Sequence, residues 1–270
     1  MKSIMYKMRI NEVLKNADLI IKDNYSYIYL NSERNEEIMT HNLGNGLFAG
    51  SISLFALLNF LSKIYIILKS GDEKIVKQVD VEEYEKLKVL VKDKTVGDWK
   101  SVKKYFKKPR IGEINETDAF VELVRDTTID LGLDKGNPKE IREMWNLFRN
   151  KLTHMISLNG NELNGQMLIQ TYISGGTYSD NLKFIKNRYP NYPAFKVVND
   201  KTKEVFKNIT TIDSITKQYL LKDSCYVDQL RISCELILDW LINEIDSDSF
   251  SELNMKILCD WFDTELNRRE

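Results

Sequence analysis

The apolar run from Leu47 to Leu68 constrains the fold more than any other segment of this chain. Its residues are almost all apolar, and a helix of this length, at about 1.5 Å per residue, would be long enough to cross a bilayer. Asn59, Ser62 and Lys63 lie in its second half, and a lysine in the middle of a membrane is costly. A central buried helix explains the same residues without that cost. We therefore expect the core helix of a helical domain and no membrane span.

Composition limits the number of domains, the binding of nucleic acid and the chemistry of the cysteines. A chain of 270 residues that are 43% hydrophobic can bury a proper core, as one domain or one domain with insertions. A net charge of −1 gives no overall attraction to nucleic acid, so contact with RNA would need a local basic patch. Cys225, Cys234 and Cys259 are too widely spaced for a zinc ribbon and odd in number for a disulfide framework. With no apolar signal-peptide core at the N-terminus, we expect a cytoplasmic protein with reduced cysteines and no cofactor or metal.

A well-defined helix is predicted from about Pro138 to about Leu158. Asn137 supplies a side-chain cap, Pro138 suits the first helical position, and Glu140 can reach back to the cap. Apolar residues then recur at the spacing of one buried stripe. The members of this stripe are Ile141, Met144, Trp145, Phe148, Leu152, Met155 and Ile156.

The opposite side of this helix carries Arg149, Asn150 and His154. At about 100° per residue, Arg149 and His154 lie about 140° apart, at the two flanks of a polar surface. A single helix cannot direct both at one small target, whereas a second copy facing the first could. The same surface is predicted to include Lys139, Arg142, Glu143, Asn146 and Thr153.

The string R-N-K-L-T-H from Arg149 to His154 resembles the signature of the HEPN superfamily, because it comes late in an amphipathic helix and follows an earlier apolar helix. That superfamily is all-helical and usually dimeric. It includes metal-independent endoribonucleases of toxin, abortive-infection and CRISPR-associated defence systems, as well as inactive binding or dimerisation modules. By position, Arg149 and His154 match the catalytic pair and Asn150 the frequent polar neighbour. The resemblance covers about Leu43 to Ile245, and only the six-residue motif is specific.

These residue types fit the chemistry that the resemblance implies. Cleavage of RNA without metal needs a group of near-neutral pKa to move protons among the ribose 2′-OH, the leaving 5′-oxygen and water, which suits His154 as general acid or base. It also needs a fixed cation for the charge on the phosphorane, which suits the guanidinium of Arg149. Asn150 would be an orienting hydrogen-bond donor. Two-fold symmetry would bring two such sets into one cleft.

Three functions are consistent with the sequence. The resemblance implies a homodimeric endoribonuclease of a bacterial toxin or antiviral defence system, with an antitoxin or defence-system partner protein. The alternative is a catalytically inactive HEPN-like module that binds RNA or protein through the same polar face. In the third, Arg149, Asn150 and His154 belong to an ordinary solvated face of a helical protein with no nucleic-acid role.

A second segment combines basic residues with aromatic rings. Tyr105 and Phe106 lie among lysines that could neutralise phosphates, and the two rings could stack on unpaired bases. A solvated lysine face with both rings turned into the core also explains the pattern, and we favour this interpretation. The candidate RNA-binding residues are Lys103, Lys104, Lys107, Lys108 and Arg110.

The predicted organisation is mainly α, a HEPN-like helical bundle with a small β-containing insertion and a short N-terminal extension. Residues 1–42 form the extension, with a small hairpin over Ile20 to Leu30. Residues 43–158 form the first part of the helical core, residues 159–222 the mixed insertion, and residues 223–270 the final core helix and a C-terminal helix. Further predicted elements are a helix over Val81 to Lys108, a helix over Ala119 to Leu131 capped by Thr117-Asp118, a hairpin from Phe195–Val198 to Glu204–Phe206, a helix opened by Asp223-Ser224, and a terminal helix over Phe250 to Leu266.

Overall fold

The computed structural model describes residues 2–33, 47–92, 111–150, 168–170, 194–198, 200–207 and 223–267. These residues are mainly helical, as predicted. The helices are α1 (Lys2–Glu33), α2 (Leu47–Ser70), α3 (Gln78–Lys92), α4 (Glu116–Asp126), α5 (Pro138–Trp145), α6 (Asp200–Lys207), α7 (Val227–Asp246) and α8 (Glu252–Asn267). A π-helical segment, Asn146–Asn150, continues α5. The strands are β1 (Leu168–Gln170), β2 (Phe195–Lys196) and β3 (Ser224–Tyr226).

The apolar helix α2 lies at the centre, in contact with α1, α4, α7 and α8. Leu54, Leu58 and Leu61 are completely buried, and burial of such side chains stabilises the fold by roughly 1.5–3 kcal/mol each. The stretch Ala49–Ser70 is long and apolar enough to cross a membrane, and most of it is buried inside the protein. The predicted central helix is therefore present, and it supports one face of the candidate site.

The N-terminal residues form the helix α1, so the predicted hairpin over Ile20 to Leu30 is wrong. Ile10, Leu14, Ala17 and Ile21 are buried at helical spacing, and α1 contacts α2, α7 and α8. Packing of this stripe outweighs the local strand preference of the β-branched and aromatic residues in the segment. Residues up to Ile21 are thus part of the core.

A three-stranded sheet lies beside the helices, with β3 between the other two strands. Strand β3 pairs in parallel with β1 and antiparallel with β2. The predicted strand at Phe195 is present, but its hairpin partner is wrong, because Glu204–Phe206 lies within α6. The partner of β2 is therefore β3, which is distant in sequence, and not the segment that follows β2 directly.

The final core helix begins later than predicted. The carboxylate of Asp223 accepts a hydrogen bond from the backbone N–H of Val198, 2.8 Å away, so it supports the sheet instead of capping a helix. Ser224–Tyr226 forms β3, and α7 begins at Val227. The predicted terminal helix is confirmed as α8, within two residues at its start and one at its end.

Two predicted helices between α2 and α5 differ in their bounds. Helix α3 covers Gln78–Lys92, and the rest of the predicted helix, up to Lys108, lies outside the described residues. Helix α4 begins at Glu116, where the side chain of Asn115 accepts a hydrogen bond from the backbone of Asp118 at 3.1 Å. The cap is therefore Asn115, two residues before the predicted one. This shift places Glu116 in the first turn, toward α2.

Candidate active site

The start of the motif helix is as predicted. The side chain of Asn137 accepts a hydrogen bond from the backbone N–H of Glu140 at 3.2 Å, and Pro138 is the first helical residue. The carboxylate of Glu140, however, accepts from the backbone of Asp134 at 3.3 Å. One half of the expected capping box is formed, and the other half is replaced by a bond that fixes the preceding loop.

The regular helix ends at Trp145, which corrects the prediction of an uninterrupted α-helix to Leu158. Asn146–Asn150 is π-helical, and its i→i+5 hydrogen bonds make a wider turn than those of an α-helix. The angle of 100° per residue that placed Arg149 and His154 on a common wheel does not apply through this segment. Such single-turn π segments occur frequently at functional sites.

The apolar stripe of this helix is buried as predicted over its described part. Ile141, Met144, Trp145 and Phe148 are all in the core. The ring of Trp145 stacks on Phe120 of α4, with 4.1 Å between ring centroids. Phe148 lies parallel to Phe55 of α2 at 6.4 Å. These contacts on two helices fix the orientation of the π segment that carries Arg149.

Arg149 is partly buried, at the flank of the polar surface that lies beside α4. Its side chain is 17% exposed, against 84% for Lys139 and 52% for Arg142 on the same helix. Nη2 of Arg149 lies 2.5 Å from Oε2 of Glu116. The wider turn and this ion pair direct the guanidinium toward α4.

Glu116 connects three elements through its carboxylate. Its Oε1 accepts hydrogen bonds from the amide of Asn59 at 2.9 Å and from the ammonium of Lys63 at 2.8 Å, both on α2. Its Oε2 pairs with Arg149. Glu116 is also the first residue of α4, where the helix dipole favours a negative charge. The Glu116 cluster, defined as Asn59, Lys63, Glu116 and Arg149, thus joins α2, α4 and the π segment.

Electrostatics keep Glu116 ionised. Burial by itself raises the pKa of this carboxyl, but the hydrogen bonds from Lys63 and Asn59, with the charges of Lys63 and Arg149, outweigh burial and lower the pKa below its usual value. The carboxylate is therefore present at neutral pH. It can therefore hold the Arg149 guanidinium at that pH.

Sequence reasoning missed three of the four members of the Glu116 cluster. Asn59 and Lys63 disfavour a membrane span, and their i, i+4 spacing also places them on one side of a buried helix. Glu116 stands in a helix-start pattern, and nothing local links it to Arg149, 33 positions later. The spacing on α2 was the available signal.

The other predicted site residues lie outside the described part of the chain. The backbone of Asn150 ends the π segment, but its side chain, the whole of His154 and the basic residues of 103–110 are not among the described residues. The relation of His154 to Arg149 stays a prediction. The described residues include no group of three or more histidine, cysteine and acidic side chains that could hold a metal. No family model, no curated protein and no solved structure matches this chain.

Proposed function

We propose that this chain is a HEPN-like, metal-independent endoribonuclease of a bacterial toxin or antiviral defence system, acting in the cytoplasm as a homodimer. The observation that carries the proposal is the setting of Arg149. It is five residues before His154 in the R-N-K-L-T-H string, on a capped helix whose apolar side is fixed in the core, and its guanidinium is oriented by Glu116.

A fixed, partly buried guanidinium is suited to a developing phosphorane charge. Electrostatic stabilisation is most effective when the donor is oriented before the reaction and little water surrounds it. Arg149 meets both conditions, since 17% of its side chain is exposed and Nη2 is held by a carboxylate. A guanidinium carries five N–H donors, so an ion pair through Nη2 does not by itself prevent Arg149 from binding a phosphate.

The proposed reaction is an internal transesterification. His154 accepts the proton of the ribose 2′-OH, and the 2′-oxygen attacks the adjacent phosphorus. Arg149 and the amide of Asn150 stabilise the additional charge on the phosphorane oxygens. The bond to the 5′-oxygen then breaks as that oxygen receives a proton, from His154 of the partner subunit or from water. The products are a 2′,3′-cyclic phosphate and a 5′-hydroxyl.

The alternative function is a catalytically inactive module that binds RNA or protein through the same polar face. The ion pair between Arg149 and Glu116 favours it, because a partly buried guanidinium that is already paired with a carboxylate has a structural role that needs no substrate. The two functions differ in what they require of His154. Only the endoribonuclease depends on its ability to transfer a proton.

The test is cleavage of a single-stranded RNA in excess EDTA. His154→Ala is expected to lower the rate by about 10²- to 10⁴-fold, and Arg149→Ala by about 10²- to 10³-fold. Arg142→Ala is the matched control, because Arg142 is on the same helix and forms an ion pair with Asp118 of α4 at 2.7 Å. It is expected to cleave at a rate close to wild type. Absence of wild-type cleavage, or cleavage that survives His154→Ala, would contradict the proposal.

A further inference from the structure

The outer face of α1 combines exposed apolar residues with the repeat of a helix–helix contact. Among the described residues nine large hydrophobic side chains are exposed, and five of them lie on this helix: Ile4, Met5, Met8, Leu19 and Ile20. The exposed positions 5, 8, 12, 15, 19 and 22 are separated alternately by three and four residues, as are the contact positions of a coiled coil. Soluble proteins rarely leave a large apolar patch uncovered, so this face suggests a partner.

The face is not the side through which α1 packs into the protein. That side carries Ile10, Leu14 and Ile21, which are buried, and the helix contacts α2, α7 and α8. Arg149 pairs instead with Glu116 on α4. The outer face of α1 is therefore exposed in the single chain, and it belongs to an element that takes no part in the candidate active site.

The order of charges along this face indicates which partner fits. Glu12 and Lys15 lie in its middle and are exposed, and neither forms an ion pair within the part of the chain that the structure describes. Met8 comes about one turn before this pair and Leu19 about one turn after it. The order is thus apolar, acidic, basic, apolar. When such a sequence is reversed, each acidic position faces a basic one and each apolar position faces another apolar one.

We propose that α1 pairs antiparallel with α1 of a second copy of this chain, about a two-fold axis. Glu12 then lies opposite Lys15 of the partner subunit, and Met8 lies opposite Leu19 of the partner subunit. Two-fold symmetry forms each of these contacts twice. A parallel pair would instead place glutamate opposite glutamate and lysine opposite lysine, which is unfavourable. This inference goes beyond the proposed function and does not depend on it.

The charges around the face favour a second copy over a membrane surface. A helix that lies on an anionic bilayer carries an excess of lysine and arginine on its polar side. On α1, Arg9 pairs with Asp263 and Lys22 pairs with Asp18, so these two cations already have carboxylate partners. Glu12 adds a negative charge in the middle of the face. Such a nearly balanced surface gains little from anionic lipid.

The size of the face predicts a weak association. One pair of helix faces buries less than the roughly 1,200–2,000 Å² of a stable protein interface. We therefore expect a dissociation constant in the micromolar range. Sedimentation equilibrium of the full chain over micromolar concentrations should show a mass that rises with concentration. If the motif interface also forms, the rise starts from the mass of a dimer.

Met8→Glu is the variant that removes this association. We expect it to weaken the association about hundred-fold, because the glutamate enters the interface twice. Its unfolding temperature should equal that of wild type, since 68% of Met8 is exposed. Val89→Glu is the matched control, because Val89 is also apolar and exposed but lies on α3. It should associate as wild type does.

Exchange of the two central charges tests the antiparallel arrangement. Glu12→Lys and Lys15→Glu should each weaken the association about ten-fold, because like charges then face each other at two points. The variant with both substitutions should recover the affinity of wild type. An equimolar mixture of the two single variants should form mixed pairs, since every charge then faces its opposite. A role of either residue within its own subunit would not produce this recovery.

Three results would overturn the inference: a wild-type mass that does not change with concentration, an association that survives Met8→Glu, or no recovery when both charges are exchanged. Vesicles of phosphatidylcholine and phosphatidylserine test the other partner. Vesicle binding that is lost in Met8→Glu, together with a constant wild-type mass, would assign the face to a membrane and refute the pairing. RNA cleavage is not a readout here, so this association and the proposed endoribonuclease can each fail without the other.

Discussion

The guanidinium of Arg149 and the carboxylate of Glu116 form an ion pair, with 2.5 Å between Nη2 and Oε2, that joins the π segment to the first residue of α4. This relationship links the motif to an element that lies 33 positions earlier in the sequence. It makes Arg149 both a contact within the fold and the proposed phosphate ligand. These two roles can be separated, because they depend differently on the shape of the cation.

Arg149→Lys separates them. An ammonium keeps the charge that pairs with Glu116, but it cannot place a planar fork of donors on a phosphate. We expect the unfolding temperature to change little, while kcat for RNA cleavage falls about ten- to hundred-fold. Thermal denaturation and single-turnover cleavage of the same preparation provide the comparison. Full activity in Arg149→Lys, or a loss of stability that parallels the loss of activity, would show that the fork has no catalytic role.

Acid should destabilise the interface between α2 and α4 at both ends. Burial raises the pKa of Asp126, but hydrogen bonds from Lys69 and Tyr65 and the charges of Lys69 and Arg125 lower it by more. The pKa of Glu116 is likewise lowered. A carboxyl whose pKa is lower in the folded protein contributes stability that is complete above its unfolded pKa, near 4, and is lost as pH falls through the folded value.

We therefore expect the urea midpoint to stay nearly constant from pH 7 to pH 5 and to fall below about pH 4. Glu116→Gln and Asp126→Asn should each lower the midpoint at pH 7 and make the fall in acid shallower. Midpoints measured at half-unit steps of pH test this directly. An equally steep fall in both variants would mean that other carboxyl groups control acid unfolding.

The packing of α1 distinguishes a core helix from a dispensable extension. Leu14 is completely buried, whereas Met8 on the same helix is 68% exposed. Leu14→Ala should therefore reduce the free energy of unfolding by roughly 2–5 kcal/mol. Met8→Ala, the control, should change it by less than about 0.5 kcal/mol. Similar small changes in both variants, measured by urea unfolding, would place α1 outside the core.

The three cysteines should be unreactive in the native protein. All are buried, and burial raises the pKa of Cys225 and raises that of Cys234 to about 12. Because the thiolate is the reactive form, labelling by a disulfide reagent at pH 8 should be slow until urea unfolds the chain, after which three thiols react. Rapid labelling of folded protein at any of the three would show that its site opens to solvent.

The sequence predicted those elements whose signals are local. The apolar run specified α2, and Asn137 with Pro138 marked the start of the motif helix. The buried positions from Ile141 to Phe148 followed from helical spacing. A side-chain cap or a helical repeat involves residues only a few positions apart, so both can be recognised in the sequence.

The predictions that were wrong concern segments whose structure depends on contacts with residues distant in sequence. The N-terminal segment carries local hairpin signals, and only the surface offered by α2, α7 and α8 makes it a helix. The π segment lies where Phe148 packs against Phe55 and Arg149 pairs with Glu116. Each of these partners is far away in sequence. A helical wheel drawn on the motif alone therefore placed Arg149 at the flank of a polar surface and gave no sign of its partner on α4.

The most direct test of the central claim is the chemistry of the cleaved ends. A defined RNA is incubated with the protein in EDTA, and the masses of its fragments are measured, with His154→Ala as the paired sample. We predict fragments that end in a 2′,3′-cyclic phosphate and begin with a 5′-hydroxyl, formed by wild type and not by His154→Ala. Fragments with 3′-hydroxyl ends, or intact RNA in both samples, would contradict the account.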